Sequence, residues 1–170
     1  MKLVRLTKDY ELTAFDCGDK DLNDFLFEDA KLFLEKRIAN TFILEDDGCI
    51  MAYLCLLNDK ISRQEVTNSR WKRIKDSFPE NKRFRSYPSI KIGRFAVSKD
   101  CRGQHIGSGF LEAVKYLLSR NYDYSAFRFI TVDAYLSAVD FYRRNGFTEL
   151  TQKEEDEYTR LMYFDMMEFE

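Results

Sequence analysis

The feature that most constrains the fold is a strand, an amphipathic helix and a second strand that follow one another in the sequence. The first strand is "PSIKIGRFAVS", the helix is "IGSGFLEAVKYLLSRN" and the second strand is "AFRFITVDA". Apolar residues recur at helical spacing in the middle segment, namely Phe110, Leu111, Val114, Leu117 and Leu118. Two strands connected in this way lie parallel in one sheet with a right-handed crossover. The sequence therefore predicts one parallel β-α-β unit.

Antiparallel pairs are predicted on both sides of this unit. Residues 1–6 alternate like a short strand, and residues 16–37 have the apolar spacing of one long helix or two short ones. Asp-Asp-Gly at 46–48 marks a hairpin turn, and the strand after it is apolar on both faces, as in a sheet centre. A helix closed by Asn-Gly at 145–146 precedes a last hairpin with an acidic turn. The predicted fold class is α+β, with a mixed, mostly antiparallel central sheet flanked by helices.

The charge is unevenly distributed along a chain of one-domain length. The 170 residues carry a formal net charge of −2, which gives no global preference for nucleic acid. Residues 63–94, however, contain ten Lys and Arg against three acidic residues. Most of them fall in residues 58–87, an irregular stretch that we interpret as a basic insertion with a short helix near 70–78. Such a segment can attract a polyanion such as tRNA, although a solvated helix face gives the same pattern.

Cysteine and histidine usage argues against a metal site. The four cysteines form no CxxC pair, and the chain has a single histidine. The longest apolar run, Ile50–Leu57, is too short to span a bilayer, and the N-terminal segment lacks the apolar core of a signal peptide. We expect a reduced, cytoplasmic protein without a membrane partner and without a metal.

The turn after the first strand of the β-α-β unit is a candidate anion site. It reads "VSKDCRGQHIG" from Val97 to Gly107. The first amides of a helix lack intrahelical partners and attract anions, and Gly103 and Gly107 let the backbone turn, while Arg102 adds a positive charge. The motifs GxxxxGK[ST] and GxGxxG are absent. A tight turn without a ligand is therefore the alternative interpretation.

Together with a second motif, this turn resembles the GNAT N-acetyltransferase superfamily. The family loop R/Q-x-x-G-x-G/A corresponds to residues 102–107, and A-x-x-F-Y-x-x-x-G-F corresponds to Ala138, Phe141, Tyr142, Gly146 and Phe147. The resemblance covers residues 89–166 and implies a single domain over 1–170 whose sheet is splayed at its middle strands. The N-terminal "FDCGDKDLNDFLFEDA" is similar to a subgroup that includes bacterial toxins acetylating aminoacyl-tRNA.

The resemblance implies an enzyme that moves an acetyl group from acetyl-CoA directly to a primary amine. It assigns pyrophosphate binding to the amides of Arg102, Gly103, Gln104, His105, Ile106, Gly107 and Ser108, and pantetheine binding to the backbone of Phe95, Ala96 and Val97. Tyr142 would be the general acid for the leaving thiolate. A phenol, with a pKa near 10, stays protonated at neutral pH and can fill that role.

The sequence departs from the family at two positions and leaves several questions open. His105 replaces a glycine and can still supply its amide if its φ stays negative, and Tyr135 replaces an asparagine. The base is either a water or an acid such as Asp133, which we expect to end a strand; His105 is too remote, and Cys101 is interpreted as packing. The acceptor is a small molecule, a protein or an aminoacyl-tRNA, and a homodimer is plausible for this fold. The alternative is a non-catalytic protein that binds acyl-CoA or a partner.

Overall fold

A computed structural model describes residues 1–78, 84–121, 125–150 and 158–169. The strands are β1 (Lys2–Arg5), β2 (Asn40–Asp46), β3 (Cys49–Ser62), β4 (Ser86–Val97), β5 (Phe129–Tyr135), β6 (Thr148–Glu149) and β7 (Thr159–Asp165). The α-helices are α1 (Lys20–Asp24), α2 (Ala30–Glu35), α3 (Asn68–Asp76), α4 (Ile106–Arg120) and α5 (Val139–Arg144). Short 3₁₀ turns span Arg63–Glu65, Lys99–Cys101, Leu136–Ala138 and Met166–Phe169.

The strands form a mixed sheet in the order β1-β2-β3-β4-β5-β7-β6. β1 with β2, β2 with β3, β5 with β7 and β6 with β7 are antiparallel. The sheet contains one parallel pair, and β4 and β5, which α4 connects, are neighbours in it. The predicted α+β class, with a mostly antiparallel sheet flanked by helices and one parallel crossover, is confirmed. β1 and β6 are the edge strands, and the homodimer expected from exposed edges stays a prediction.

The chain divides into two compact units, of which the first comprises residues 1–58 and 92–120. Its core is a cluster of buried side chains from the N-terminal segment, the first helices and three strands: Leu6, Phe15, Cys17, Phe25, Leu26, Ala30, Ala39, Ile43, Ile50, Tyr53, Cys55 and Ala96. The ring of Tyr53 packs against Phe15 and Phe25, and its hydroxyl donates to the Leu22 carbonyl at 2.6 Å. The helical region is thereby fixed to the sheet.

The helical region of this unit agrees with the first of the two predicted versions, one long helix, but contains a π-helical turn that the sequence does not predict. α1 and α2 are joined by a π-helix, Phe25–Asp29, so that the segment is one continuous helical path with a widened turn. The amide of Ala30 donates to the Phe25 carbonyl, five residues back. Phe25, Leu26 and Ala30 are all buried. The extra residue per turn is the reason that a strict 3.6-residue spacing does not describe the segment.

The second unit comprises residues 59–91 and 121–170. Its described core contains Ile61, Val66, Trp71, Ile74, Tyr87, Phe129 and Leu150. Most of these side chains come from the stretch 58–87, for which the sequence predicts an irregular segment. That prediction is wrong at both ends, since β3 continues to Ser62 and β4 begins at Ser86, while the short helix is confirmed as α3. Whether 58–87 is an insertion stays a prediction.

Local signals elsewhere agree with the structure. β2 and β3 form the hairpin predicted at 46–48, and β3 lies inside the sheet. α5 ends before Gly146, whose φ is +85°. β6 pairs with β7 as the last hairpin requires, although its acidic turn, 151–157, lies outside the described residues. No described helix has the length and apolar character needed to cross a membrane.

Two glycine-to-alanine substitutions should change stability in opposite directions. A Cβ on Gly146 would lie 3.0 Å from Phe164 in a left-handed backbone, so Gly146→Ala should lower the free energy of unfolding by about 1–2 kcal/mol. Gly109 lies within α4 with open space around its Cβ position, so Gly109→Ala should raise it by about 0.5–1 kcal/mol. Urea denaturation measures both changes in the free energy of unfolding. Changes of the same sign would contradict the left-handed backbone of Gly146 or the open space at Gly109.

Candidate functional site

The turn between β4 and α4 is held at its start by the sheet. The amide of Ser98, directly after β4, donates to the Met51 carbonyl of β3 at 2.8 Å. A 3₁₀ turn, Lys99–Cys101, follows, with the Cys101 amide donating to the Ser98 carbonyl at 3.0 Å. The side chain of Gln104 donates to the Asp100 carbonyl at 3.1 Å. These bonds give the turn a defined path before the helix begins.

His105 has a left-handed backbone, which corrects the expectation of a negative φ. Its φ is +58°, and that of Gly103, two residues earlier, is +75°. For a residue with a Cβ, this region costs roughly 1–2 kcal/mol. The His105 carbonyl accepts the amide of Gly109 at 3.1 Å, so the left-handed residue directly precedes the helix. Gly107 lies inside α4 and has no positive φ.

The peptide amides of this turn are available to a ligand. Those of Gly103, His105, Ile106, Gly107 and Ser108 donate to no acceptor in the part of the chain that the structure describes. They precede and open α4, a helix of 15 residues whose dipole adds positive potential at the same place. Of the predicted pyrophosphate-binding stretch, Arg102–Ser108, the Arg102 amide is engaged, since it donates to the Lys99 carbonyl at 3.4 Å, whereas the free donors that follow it suit an anion.

The arginine of the turn contacts the N-terminal segment. Its guanidinium donates to the Cys17 carbonyl, a neutral acceptor that does not offset the positive charge predicted beside the amides. The preceding lysine of the turn, Lys99, forms an ion pair with Asp16 at 2.7 Å. Sequence reasoning did not identify the N-terminal residues that hold the turn. The available signal was the motif "FDCGDKDLNDF", because it contains both of these partners.

The three residues predicted to hold pantetheine are the last three of β4. Ala96 is buried in the core of the first unit, and the ring of half-buried Phe95 lies 5.9 Å from that of Phe110 in α4. Val97 is half-buried as well. The binding of a cofactor by the backbone groups of these residues stays a prediction.

Tyr142 lies in α5, in the second unit, whereas the turn belongs to the first. Its side chain is 5% exposed and its ring contacts Phe141 and Phe147, at centroid distances of 5.2 and 5.3 Å. The Phe147 amide donates to the Tyr142 carbonyl at 3.0 Å, which closes the helix end around it. Burial raises the pKa of Tyr142 well above its usual value of 10. The phenol therefore keeps its proton throughout the neutral range.

The remaining candidates are less suited to chemistry. Asp133 does not end its strand, since β5 continues to Tyr135, and its carboxylate pairs with Lys91 at 2.5 Å. Tyr135, at the position of the family's asparagine, is 47% exposed. Cys101 is half-buried in the 3₁₀ turn. Among the described residues, no group of three or more His, Cys, Asp or Glu is placed to hold a metal ion.

The strain at His105 can be measured by two neighbouring substitutions. His105→Gly should raise the free energy of unfolding by about 0.5–1 kcal/mol, because relief of the left-handed strain exceeds the added flexibility of the unfolded chain. Gln104→Gly, at an exposed residue without a positive φ, should lower it by about 0.5–1 kcal/mol. Equilibrium urea unfolding gives the free energy of unfolding of each variant. An equal decrease of this free energy in both variants would exclude strain at His105.

Comparison with known proteins identifies the family. The model of a family described as acetyltransferase (GNAT) domain matches residues 81–167. A tyrosine-to-phenylalanine variant of KacT has a similar structure, with a TM-score of 0.79, 22% identity and coverage of 99% of this chain and 98% of that one. AtaT complexed with acetyl-methionyl-tRNA also has a similar structure. Its TM-score is 0.76 at 22% identity, and the match covers 98% of this chain and 96% of that one. A variant of the AtaT toxin, bound to the C-terminus of the antitoxin AtaR and to acetyl-CoA, has a TM-score of 0.75 at 20% identity. That match covers 99% of this chain and 94% of the other. No curated protein sequence matches.

At these identities, the solved structures establish the fold, and the family model establishes the membership. The match includes β4, the turn before α4 and the helix that carries Tyr142. The chain belongs to the GNAT family of acetyltransferases.

Proposed function

We propose that this chain binds acetyl-CoA at the turn between β4 and α4 and transfers its acetyl group to the primary amine of an aminoacyl-tRNA. The observation that carries the cofactor part is the set of free amides between Gly103 and Ser108 at the start of a long helix. A pyrophosphate needs several donors that converge and a positive potential, and this turn offers both without a metal. The backbone of Phe95–Val97 is proposed to hold the pantetheine arm, and one of its N–H groups would polarise the thioester carbonyl.

Tyr142 is the proposed general acid. When the amine nitrogen bonds to the thioester carbonyl carbon, the carbon–sulfur bond breaks and a thiolate leaves. The phenol then donates its proton to the sulfur, and the amine loses a proton to a base. Because burial raises the pKa of Tyr142, the acid form is fully populated at working pH. Asp133 is engaged by Lys91, which favours water as the acceptor of the amine proton.

Substitution of Tyr142 tests this role. Tyr142→Phe should lower kcat by about 10²-fold, the scale of a lost general acid, with the fold retained. In the wild-type enzyme, loss of rate through deprotonation of this phenol should begin only above pH 10, since its pKa is raised. Initial rates with acetyl-CoA from pH 6 to pH 10 provide the measurement.

Tyr87→Phe is the matched control for that experiment. Tyr87 is also buried in the second unit, but its hydroxyl has no hydrogen-bond partner among the described residues, so its removal should leave kcat unchanged. Wild-type turnover in Tyr142→Phe would exclude Tyr142 as the acid. If the wild-type protein neither binds acetyl-CoA nor turns it over, the non-catalytic alternative is correct.

A cleft in the second unit supports tRNA as the acceptor. It encloses about 410 Å³ and is lined by Arg70, Arg73, Arg143, Phe147, Thr148, Glu149 and Tyr163. Arg70 and Arg73 are three residues apart on α3, and both belong to the basic segment noted in the sequence. Arg143 is balanced by Asp140 and Glu149, each 2.5 Å away. The lining residues of the cleft comprise three arginines against one acidic residue, Glu149.

Arginines beside an aromatic ring suit the phosphates and bases of a nucleic acid. Burial raises the pKa of Tyr163, and the positive charges of Arg73 and Arg70 oppose this rise in part. The structure of AtaT with acetyl-methionyl-tRNA, a protein of similar fold, supports the same class of acceptor. The proposal includes a cytoplasmic location, where charged tRNA is used.

Arg73 and its neighbour Lys72 provide a matched test of the cleft. Arg73→Met should raise KM for aminoacyl-tRNA by about fivefold and reduce the salt slope of log K by about one, as the loss of one phosphate contact requires. Lys72→Met removes the same charge from an exposed position of α3 outside the cleft and should have a smaller effect. Initial rates between 50 and 200 mM salt give KM and its salt dependence for both variants. Equal changes in KM for Arg73→Met and Lys72→Met would show that the cleft has no role.

A further inference from the structure

The N-terminal loop, residues 16–19, contacts the turn between β4 and α4 at several points. The carboxylate of Asp16 pairs with the ammonium of Lys99 at 2.7 Å, although the two residues are 83 positions apart. The Lys99 amide also donates to the Asp16 carbonyl at 2.9 Å. One residue later, the Cys17 carbonyl accepts from the guanidinium of Arg102. Both cationic side chains of the turn are thus held by the same short loop.

Asp16 also organises the N-terminal loop itself. Its Oδ1 accepts from the Gly18 amide at 2.7 Å and from the side-chain amide of Asn23 at 3.0 Å. Asn23 in turn accepts from the Cys17 amide at 2.9 Å through its own Oδ1. Together with the bond to Lys99, these contacts lower the pKa of Asp16 well below its usual range. One carboxylate therefore connects helix α1, the N-terminal loop and the turn, all within the first unit.

The turn needs such support because its conformation is unfavourable by itself. It contains a left-handed histidine, and residues 102–105 are exposed. A strained backbone of this kind persists only where surrounding contacts determine it. Ser98 is held by β3 from one side, and the N-terminal loop holds Lys99 and Arg102 from the other.

We propose that Asp16 is a positioning residue for acetyl-CoA, which keeps the turn between β4 and α4 in the shape that leaves its amides free and convergent. The inference rests on the proposed function, since the turn is the proposed pyrophosphate site. Asp16 acts through Lys99 and, by way of Cys17, through Arg102. A free-standing loop would have to be ordered when the cofactor binds, and that ordering would weaken the affinity.

Electrostatics alone predicts the opposite effect of removing this carboxylate. Without Asp16, Lys99 would be unpaired and the surroundings of the turn would be more positive. A ligand as anionic as CoA would then bind more tightly. Positioning predicts weaker binding of the same ligand. The sign of the change therefore separates the two explanations.

The first experiment measures binding and kinetics of Asp16→Asn. We expect Kd and KM for acetyl-CoA to rise by about tenfold through lost preorganisation, with kcat within about twofold of wild type. Asp24→Asn is the control, because within the described part of the chain Asp24 forms an ion pair only with exposed Lys20, in an i,i+4 contact, and the charge change is the same. Its Kd should equal that of the wild type. Binding at least as tight in Asp16→Asn as in wild type overturns the proposal, as does a lower kcat at unchanged KM.

The second experiment uses the protein without cofactor, so that it stays informative if acetyl-CoA is not the ligand. Hydrogen exchange of the Lys99 and Cys101 amides should accelerate by about tenfold in Asp16→Asn and stay unchanged in Asp24→Asn. Unchanged exchange in both variants overturns the positioning role. If wild-type protein gives no heat with acetyl-CoA while exchange responds as expected, the cofactor assignment fails and the support of the turn stands.

Asn23→Ala keeps the experiment decisive if Asp16→Asn does not fold. It removes a hydrogen bond to the Asp16 carboxylate without changing the charge of the molecule. We expect a rise of about threefold in Kd, smaller than for Asp16→Asn because the ion pair with Lys99 remains. The proposal is contradicted if Asn23→Ala has the wild-type Kd and its Lys99 and Cys101 amides exchange no faster than in the wild type.

Discussion

The amides that open α4 are free because the first turn of a helix has no preceding helical carbonyls to accept from them, and a left-handed residue directly before the helix sets the path of the turn. The His105 carbonyl enters the helical hydrogen-bond pattern at Gly109, while the amides around it are left without partners. A histidine has to be held in this conformation, since its Cβ disfavours it. The sheet fixes one end of the turn through Ser98, and the N-terminal loop fixes its cationic side chains. The geometry proposed to bind a pyrophosphate thus depends on contacts outside the turn itself.

Features with a local signal could be predicted from the sequence. The hairpin turn at 46–48, the amphipathic α4 and the glycine that ends α5 each depend on residues a few positions apart. The last five residues of β3 were missed because Asn58, Asp59 and Lys60 interrupt the apolar run, as a loop would. In the sheet, Asn58 and Lys60 are exposed, whereas Asp59 between them is half-buried and accepts from Thr131 of β5 at 2.8 Å.

The missed parts of the candidate site share one cause, which is distance along the chain. Arg102 reaches a carbonyl 85 positions away, and no local pattern indicates that its guanidinium donates there. The φ of His105 could not be derived either, because a non-glycine residue is left-handed only when its surroundings require it. Tyr142, by contrast, could be identified from its motif, while its burial, which raises its pKa, followed only from the structure.

The charge distribution limits how a tRNA could be recognised. With a formal net charge of −2, the whole chain gives little long-range attraction, so affinity has to come from a few local cations. The cleft contributes three arginines, and the charge of one of them, Arg143, is compensated by its two acidic neighbours. Two or three phosphate contacts correspond to a salt slope of about −1.4 to −2.7, far weaker than for a protein that follows a duplex. Such an interface can hold only a short part of the acceptor, and the aminoacyl end is the part that carries the reactive amine.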